Sequence, residues 1–555
     1  MLGHIEDLPR IAIASATILA VALPLIVLAN IVRRLFSRVS LPPSLPWVGT
    51  GPHSGPLSRA RANLKSFFGL KQMLDEGYYK YSRNDKAYVL PYFLNGYQVV
   101  LPLSQLDWLL AQPDSVLSQE DVNRQFLESD YTFPHPSFVK DPVHPEIIRH
   151  ELTKKLNNFA DDVVDEMEQA LIDRWGTDTD GWVEVSVYQT LLHIIARLST
   201  RVFVGLPLCR DAEFLEACQS FNRNVALSGA FLNLLPGFLK PFLAPLVSSA
   251  DYLRYKKCSE YILPTIKERL ETLKNREKLP VSDPNPPTIS LVLGSNARDG
   301  HQSDYIQWAI DHAVQKEGLE SRELESRVIA TRFAILCFAA IQSSVITLTN
   351  AVFDIASSPD CASSLDTMRN EVTNETSIAT ATNPSAPTWS RSMMACLTHV
   401  DSALRESLRL NGFIERGVMK MVIAPEGVTL PDGSHIPRGT KVGISGWSVH
   451  HDHDIYDHVT TYDAFRFAKG SDSSGNGNKK PQALINTSDH FMGFSHGSHA
   501  CPGRFFAANQ MKIALGHIAL RYEIEPIPER PKNQWFFGHI APPLGETLRV
   551  RRRKS

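Results

Sequence analysis

The sequence predicts a mainly α-helical body with small β-sheets, preceded by one N-terminal transmembrane helix. Three observations carry that expectation. Four long stretches, Pro145 to Trp175, Val185 to Val204, Ala250 to Glu277 and Glu323 to Ile355, repeat apolar residues at helical spacing beneath charged outer faces. The β-rich runs are short and flank tight-turn dipeptides. Ahead of all of these, Ile11 to Val32 runs for 22 residues without a charge.

As a helix that run reaches roughly 33 Å, enough to cross a hydrocarbon core. Arg33, Arg34 and Arg38 follow it, whereas Glu6, Asp7 and Arg10 precede it. The asymmetry makes residues 1–10 a short lumenal N-terminus, 11–32 the anchor, and the downstream chain cytoplasmic. Val27-Leu28-Ala29 would suit a cleaved signal peptide, but the apolar run exceeds a usual signal core and the arginines form a stop-transfer flank. Leu41 to Ser58 then packs five prolines and three glycines, so residues 33–58 read as a basic, stiff, turning linker ahead of a body over 59–555.

Within the body, Ala87 to Leu103 holds two β-rich runs around Asn95-Gly96, the favoured pair for a tight hairpin, and Glu426 to Pro437 repeats the pattern around Asp432-Gly433. Lys278 to Asp304 and Lys469 to Lys480 read as surface loops. Ala230 to Val247 is too broken by proline to span a membrane as a regular helix and too apolar for an ordinary loop, so core packing is its plainest role. No repeat of 20 to 50 residues is present.

Composition narrows the partners. Hydrophobic residues at 43% and charged residues at 21% describe an ordinary globular chain, and Lys+Arg 57 against Asp+Glu 59 gives no nucleic-acid signal. The seven cysteines are scattered without a C-x-x-C pair, which argues against structural zinc or a disulfide framework and for reduced thiols facing the cytosol. The sequons at Asn374 and Asn486 are accordingly expected to stay unmodified.

The chemistry concentrates in Phe494 to Gly503, F-S-H-G-S-H-A-C-P-G, directly before a helical run from Arg504. A helix start offers unpaired N–H groups and a positive dipole end, which favour a thiolate at Cys501. A lone cysteine is more often a small buried hydrophobe. The spacing Phe494-x-x-Gly497-x-His499-x-Cys501-x-Gly503, however, resembles the haem-binding loop of the cytochrome P-450 family of haem-thiolate monooxygenases. The resemblance spans about Arg59 to Arg553 as one catalytic domain. It implies the cytochrome P-450 fold, one haem b with Cys501 as its axial thiolate, and His499 at a haem propionate.

Further motifs gain meaning from it. Glu406 and Arg409 stand i, i+3 on a predicted helix, which alone suggests a surface ion pair. Tyr462 to Phe467, Y-D-A-F-R-F, resembles the family's second arginine motif, so Glu406, Arg409 and Arg466 resemble the buried triad that braces the haem-binding core. Phe338 to Ser344 aligns in part with the distal oxygen-activation motif: Ala340 replaces a common glycine, Gln342 a common acid and Ser343 a common threonine. Gln342 cannot act as an acid, so Ser343, Ser344, water or substrate hydroxyls must relay protons. The other reading is a polar patch whose hydroxyls bond back to the preceding turn. The family's W-x-x-x-R helix is not apparent; His144 and Arg149 stand in a comparable pattern, with Arg149 as a propionate contact. His496 has no assigned role.

The resemblance implies O2 as co-substrate, electrons from NADPH through a separate NADPH-cytochrome P-450 reductase, a lipophilic small-molecule substrate and an endoplasmic-reticulum membrane setting. It also implies that Ala230 to Val247 can dip into the bilayer over the substrate entrance. The C-terminal style looks most like fungal secondary-metabolism and terpenoid oxidases. Two alternatives stay open: a haem-thiolate isomerase or dehydratase that needs no reductase, suggested by Gln342, and a membrane-anchored binding protein with a structural Cys501.

Overall fold

The computed structural model describes residues 24–36, 40–51, 55–93, 96–134, 143–277, 304–413, 415–468, 481–536 and 538–554. Residues 11–23 of the expected anchor, Asn95 of the first hairpin, and nearly all of the two expected surface loops lie outside them.

The longer helices run over residues 24–35 (α1), Pro56–Lys80 (α2), Gln119–Leu127 (α3), Ala160–Trp175 (α4), Val187–Phe203 (α5), Ala212–Leu232 (α6), Lys240–Val247 (α7), Ser249–Glu277 (α8), Tyr305–Glu317 (α9), Ser326–Ala356 (α10), Cys361–Thr382 (α11), Thr398–Leu410 (α12) and Arg504–Arg521 (α13). The strands are β1 (Tyr88–Tyr92), β2 (Gly96–Val100), β3 (Leu117–Ser118), β4 (Val183–Ser186), β5 (Val418–Val422), β6 (Val428–Thr429), β7 (His435–Ile436), β8 (Lys441–Ile444), β9 (Tyr522–Ile524), β10 (Gln534–Phe536), β11 (His539–Ala541) and β12 (Thr547–Arg552). The protein is thus mostly helical with small sheets, as the sequence predicts.

Two compact units, each discontinuous in sequence, make up the chain. The first comprises Met1–Phe133, Val225–Ala250 and Met419–Ser445. Its five-stranded sheet has the order β1-β2-β8-β5-β3. β1 and β2 form the expected antiparallel hairpin, with Val89 opposite Val99, whereas β2 and β8 pair in parallel, with Val99 opposite Val442. β6 and β7 form the second expected hairpin. In this unit α1 lies along residues 232–247. Asn30 donates from Nδ2 to the Leu234 carbonyl (3.0 Å), and Arg34 donates to the carbonyls of Asn233 (2.8 Å) and Leu235 (3.3 Å). Leu232, Leu235 and Ala244 are buried there, with Val27 and Val247 packed against them, while Phe238, Phe242 and Leu246 stay 70%, 74% and 69% exposed. Core packing therefore accounts for only part of Ala230 to Val247.

The second unit comprises Pro134–Asn224, Asp251–Val418 and Gly446–Ser555 and contains every predicted site residue. α10 is long and apolar enough to cross a membrane, but most of it is buried inside the protein, packed on α5, α12 and α13. Its C-terminal end is tied to α12 through one buried carboxylate. Asp354 accepts from Ser407 Oγ (2.6 Å) and from Asn411 Nδ2 (2.9 Å), and pairs with Arg530. The sheet β4-β12-β9 closes one edge of this unit, with Leu548 opposite Val185 and Val550 opposite Ile524.

One expected element is interrupted. Pro145 to Trp175 is not a single helix: a short helix at His144–Ile147, a π-helical turn at Ile148–Leu152 and a 3-10 turn at Leu156–Phe159 precede α4. Asn157 and Asn158 lie at the break, where short polar side chains compete for backbone partners. Asn157 Oδ1 accepts from the Arg391 amide at 2.7 Å.

Candidate active site

Cys501 ends a compact loop shaped by its backbone. Ser495 and Gly497 take left-handed conformations (φ 59 and 77), and Gly497 opens a short 3-10 turn that ends at His499. The Cys501 amide donates to the Phe494 carbonyl at 2.9 Å, closing the loop on itself. Gly493 is required by packing, since a Cβ there would lie 2.7 Å from Leu408 Cδ2 of α12. Gly503 is the N-cap of α13. His496 Nδ1 lies 2.9 Å from Thr487 Oγ1, a contact that ties the loop to the segment before it.

Cys501 itself is part-exposed. Burial pushes the thiol above its ordinary range, against the backbone of Gly503 and Arg504 and the positive charges of Arg504 and Arg149. Arg149, exposed on the π-helical turn, is thus within electrostatic reach of the sulfur. A part-exposed cysteine just before a helix start, with the guanidinium groups of Arg504 and Arg149 nearby, suits a thiolate that would ligate a metal. These residues fit a haem.

The structure brings Glu406, Arg409 and Arg466 into one cluster, in which Glu406 and Arg409 are buried and Arg466 is part-exposed. Arg409 grips the carboxylate through Nε and a terminal nitrogen, both at 2.8 Å, and Arg466 Nε donates to Glu406 Oε1 at 2.9 Å. The remaining guanidinium N–H groups are spent on carbonyls: Arg409 donates to those of His450 (2.6 Å) and Val459 (2.9 Å), and Arg466 to that of Asp457 (2.6 Å). Charges removed from water are tolerated only when paired and hydrogen-bonded in this way.

Two residues without a sequence signal complete the brace. His450 Nε2 accepts from the Met492 amide at 2.9 Å, two positions before Phe494, so His450 connects Arg409 to the cysteine loop. Burial, with Arg409 and Arg405 nearby, holds His450 well below the ordinary histidine range and keeps that acceptor nitrogen unprotonated. Arg405, next to Glu406 in sequence, donates to the carbonyls of Ala483 (2.6 Å) and Asn486 (2.7 Å) and lies 3.6 Å from the centre of the Phe491 ring. Asp401 of α12 also pairs with Lys512 of α13 at 2.5 Å, fixing the helix that starts at the loop.

On α10 the partial motif separates by face. Ala339, Gln342, Ser343 and Ile346 recur at i, i+3, i+4 and i+7 and form an accessible stripe on a helix otherwise mostly buried. Ser344 turns into the core. Both serine hydroxyls bond back one turn, Ser343 to the Ala339 carbonyl (3.3 Å) and Ser344 to that of Ala340 (3.1 Å). Gln342 Oε1 accepts from the Tyr188 hydroxyl of α5 at 3.1 Å.

The unit is mostly helical, with a cysteine presented at a helix start and a Glu-Arg-Arg brace supporting its loop. The family model described as cytochrome P-450 matches residues 110–545, and the chain belongs to that family. Among curated relatives, cytochrome P-450 monooxygenase 151 of Postia placenta is 31% identical over 517 residues, covering 92% of this chain and 94% of the relative. Cytochrome P-450 monooxygenase polB of Polytolypa hystricis is 31% identical over 523 residues, covering 93% and 94%. Cytochrome P-450 monooxygenase astC of Aspergillus terreus is 26% identical over 546 residues, covering 96% and 97%. The chain is therefore an enzyme of a monooxygenase family whose cofactor is haem-thiolate iron.

Proposed function

We propose that this protein is a membrane-anchored haem-thiolate monooxygenase that inserts one oxygen atom from O2 into a lipophilic natural product, terpenoid-like, in fungal secondary metabolism. The observation that carries the reading is Cys501: a part-exposed cysteine presented just before the start of α13, on a loop braced by the Glu406 cluster. In that role Cys501 would hold the haem iron through its thiolate. Phe494, Gly497 and Gly503 shape its loop, Glu406, Arg409 and Arg466 hold the loop's support, and His499 and Arg149 meet the propionates. A haem bound there supplies oxygen activation, with the thiolate pushing electron density toward O–O cleavage. The chain's own part is to position substrate and deliver protons. Ser343 is the hydroxyl on the accessible face of α10, Gln342 supplies a hydrogen-bonding amide beside it, and Ser344 supports the turn from the core side.

Electrons come from NADPH through a separate NADPH-cytochrome P-450 reductase, at the cytoplasmic face of the endoplasmic reticulum. The uncharged run over residues 11–32 and the exposed Phe238, Phe242 and Leu246 support the membrane setting. The test is a reduced, CO-treated spectrum. The intact protein is expected to show the thiolate-type Soret band and Cys501→Ala to lose it; an unchanged band in the variant overturns the assignment. Metabolites compared with and without the chain then identify the substrate, and turnover without any reductant would favour isomerase chemistry instead.

A further inference from the structure

We infer that Tyr188 is a positioning residue for the oxygen-activating face of α10. It fixes the amide of Gln342 so that this position presents N–H donors rather than an acid. The inference rests on the distal placement of Gln342 proposed above.

The argument starts from the side chain. A glutamine has one acceptor end and one donor end, and which end faces the site depends on what holds the other. Here the Tyr188 hydroxyl, from the first turn of α5, donates to Gln342 Oε1 at 3.1 Å across 154 positions of sequence. With Oε1 engaged by α5, Nε2 is left for the other side. Among the described residues none accepts from it, and Gln342 is part-exposed on the stripe that carries Ala339 and Ser343. Tyr188 is itself half-buried in the second unit's core, and α5 packs along α10, so the phenol is held by the scaffold and not by a loop.

The chemical consequence follows. An amide does not titrate, so it cannot give up a proton and be recharged. Two N–H donors of fixed direction can, however, hold a water or a substrate hydroxyl beside Ser343, and that group supplies the proton. Without Tyr188 the amide can rotate, and its carbonyl end can replace the donors. Protons then come from solvent without that direction, and O2 that has taken two electrons from NADPH leaves with two of those protons as hydrogen peroxide instead of entering product.

The test is a double-mutant cycle on the holoenzyme, using Tyr188→Phe, Gln342→Leu and both together. CO on the reduced haem serves as the probe, and its infrared C–O stretching band reads distal polarity without turnover. Tyr188→Phe is expected to keep the thiolate-type Soret band, to shift or split the C–O band, and to raise peroxide released per NADPH by about two- to tenfold, the worth of one hydrogen bond. In the Gln342→Leu background the same change should do nothing further. Equal effects of Tyr188→Phe in both backgrounds, or loss of the Soret band, overturn the inference by making the tyrosine a general structural residue. If Gln342→Leu moves the C–O band and Tyr188→Phe does not, only the Tyr188 assignment fails. If neither moves it, the distal placement of Gln342 fails as well.

Discussion

His450 carries its load through both its backbone and its ring. Its carbonyl takes an Arg409 N–H, its Nε2 takes the Met492 amide, and its ring stacks on Phe491 with centroids 5.3 Å apart. Replacing it by phenylalanine keeps the carbonyl and much of the stack but strands a buried N–H. The expected cost is about 1–3 kcal/mol, read as a lower urea midpoint, together with faster loss of haem from the cysteine loop. Nothing in S-V-H-H-D-H marks this residue in the sequence, because its role depends on a partner 42 positions away that only the fold supplies. Cys501 was legible for the opposite reason. The turn residues that shape its loop are its neighbours in the chain, so their spacing is written locally. Arg405 lay between the two cases: it adjoins Glu406, but its carbonyl partners and the Phe491 ring come from beyond residue 480.

At the scale of elements, α12 is the member through which the site is assembled. Glu406 faces the two arginines, Asp401 faces α13, and Ser407 and Asn411 face Asp354 at the end of α10. Glu406→Gln removes the charge that the buried Arg409 and the part-exposed Arg466 share, and breaking a buried ion pair costs roughly 3–5 kcal/mol. The expected outcome is a lower melting temperature and a smaller thiolate-type Soret band per mole of chain. A variant with normal haem content would mean that the cluster does not support the loop. The span of α10 could be read to within a few residues, because a long apolar run between polar ends has one regular solution. The break ahead of α4 could not. The π-helical turn spans only five residues, shorter than the window over which periodicity is read.

For the whole molecule, protonation sets a lower pH bound on stability. His517 is buried on α13, stacked on Trp389, and burial holds it down to about 4; His450 is held down likewise. Below the free-histidine value of about 6.5 the unfolded chain therefore takes up protons that the fold refuses. The stabilisation is fully present above that pH and declines as pH falls, by ~1.4 kcal/mol per pH unit for each histidine. Urea midpoints at pH 7.5 and 5.5 should show the decline, and His517→Phe, which can keep the stack on Trp389, should flatten it. The sheets show where sequence reading ends at this scale. Hairpins such as β1-β2 follow from one dipeptide, but nothing local tells β2 to accept β8, or β12 to accept β4, because those partners stand far apart in the chain. The seam between α1 and residues 233–235 gives the N-terminus a mechanical character. A helix joined only by a loose linker would leave the segment it meets free to turn. Side chains of α1 that grip three successive carbonyls make it a strut, and any tilt of that strut is transmitted as torque to the neighbouring segment with its exposed Phe238 and Phe242. Cutting the chain after residue 39 would therefore remove a lever, and not only a leash.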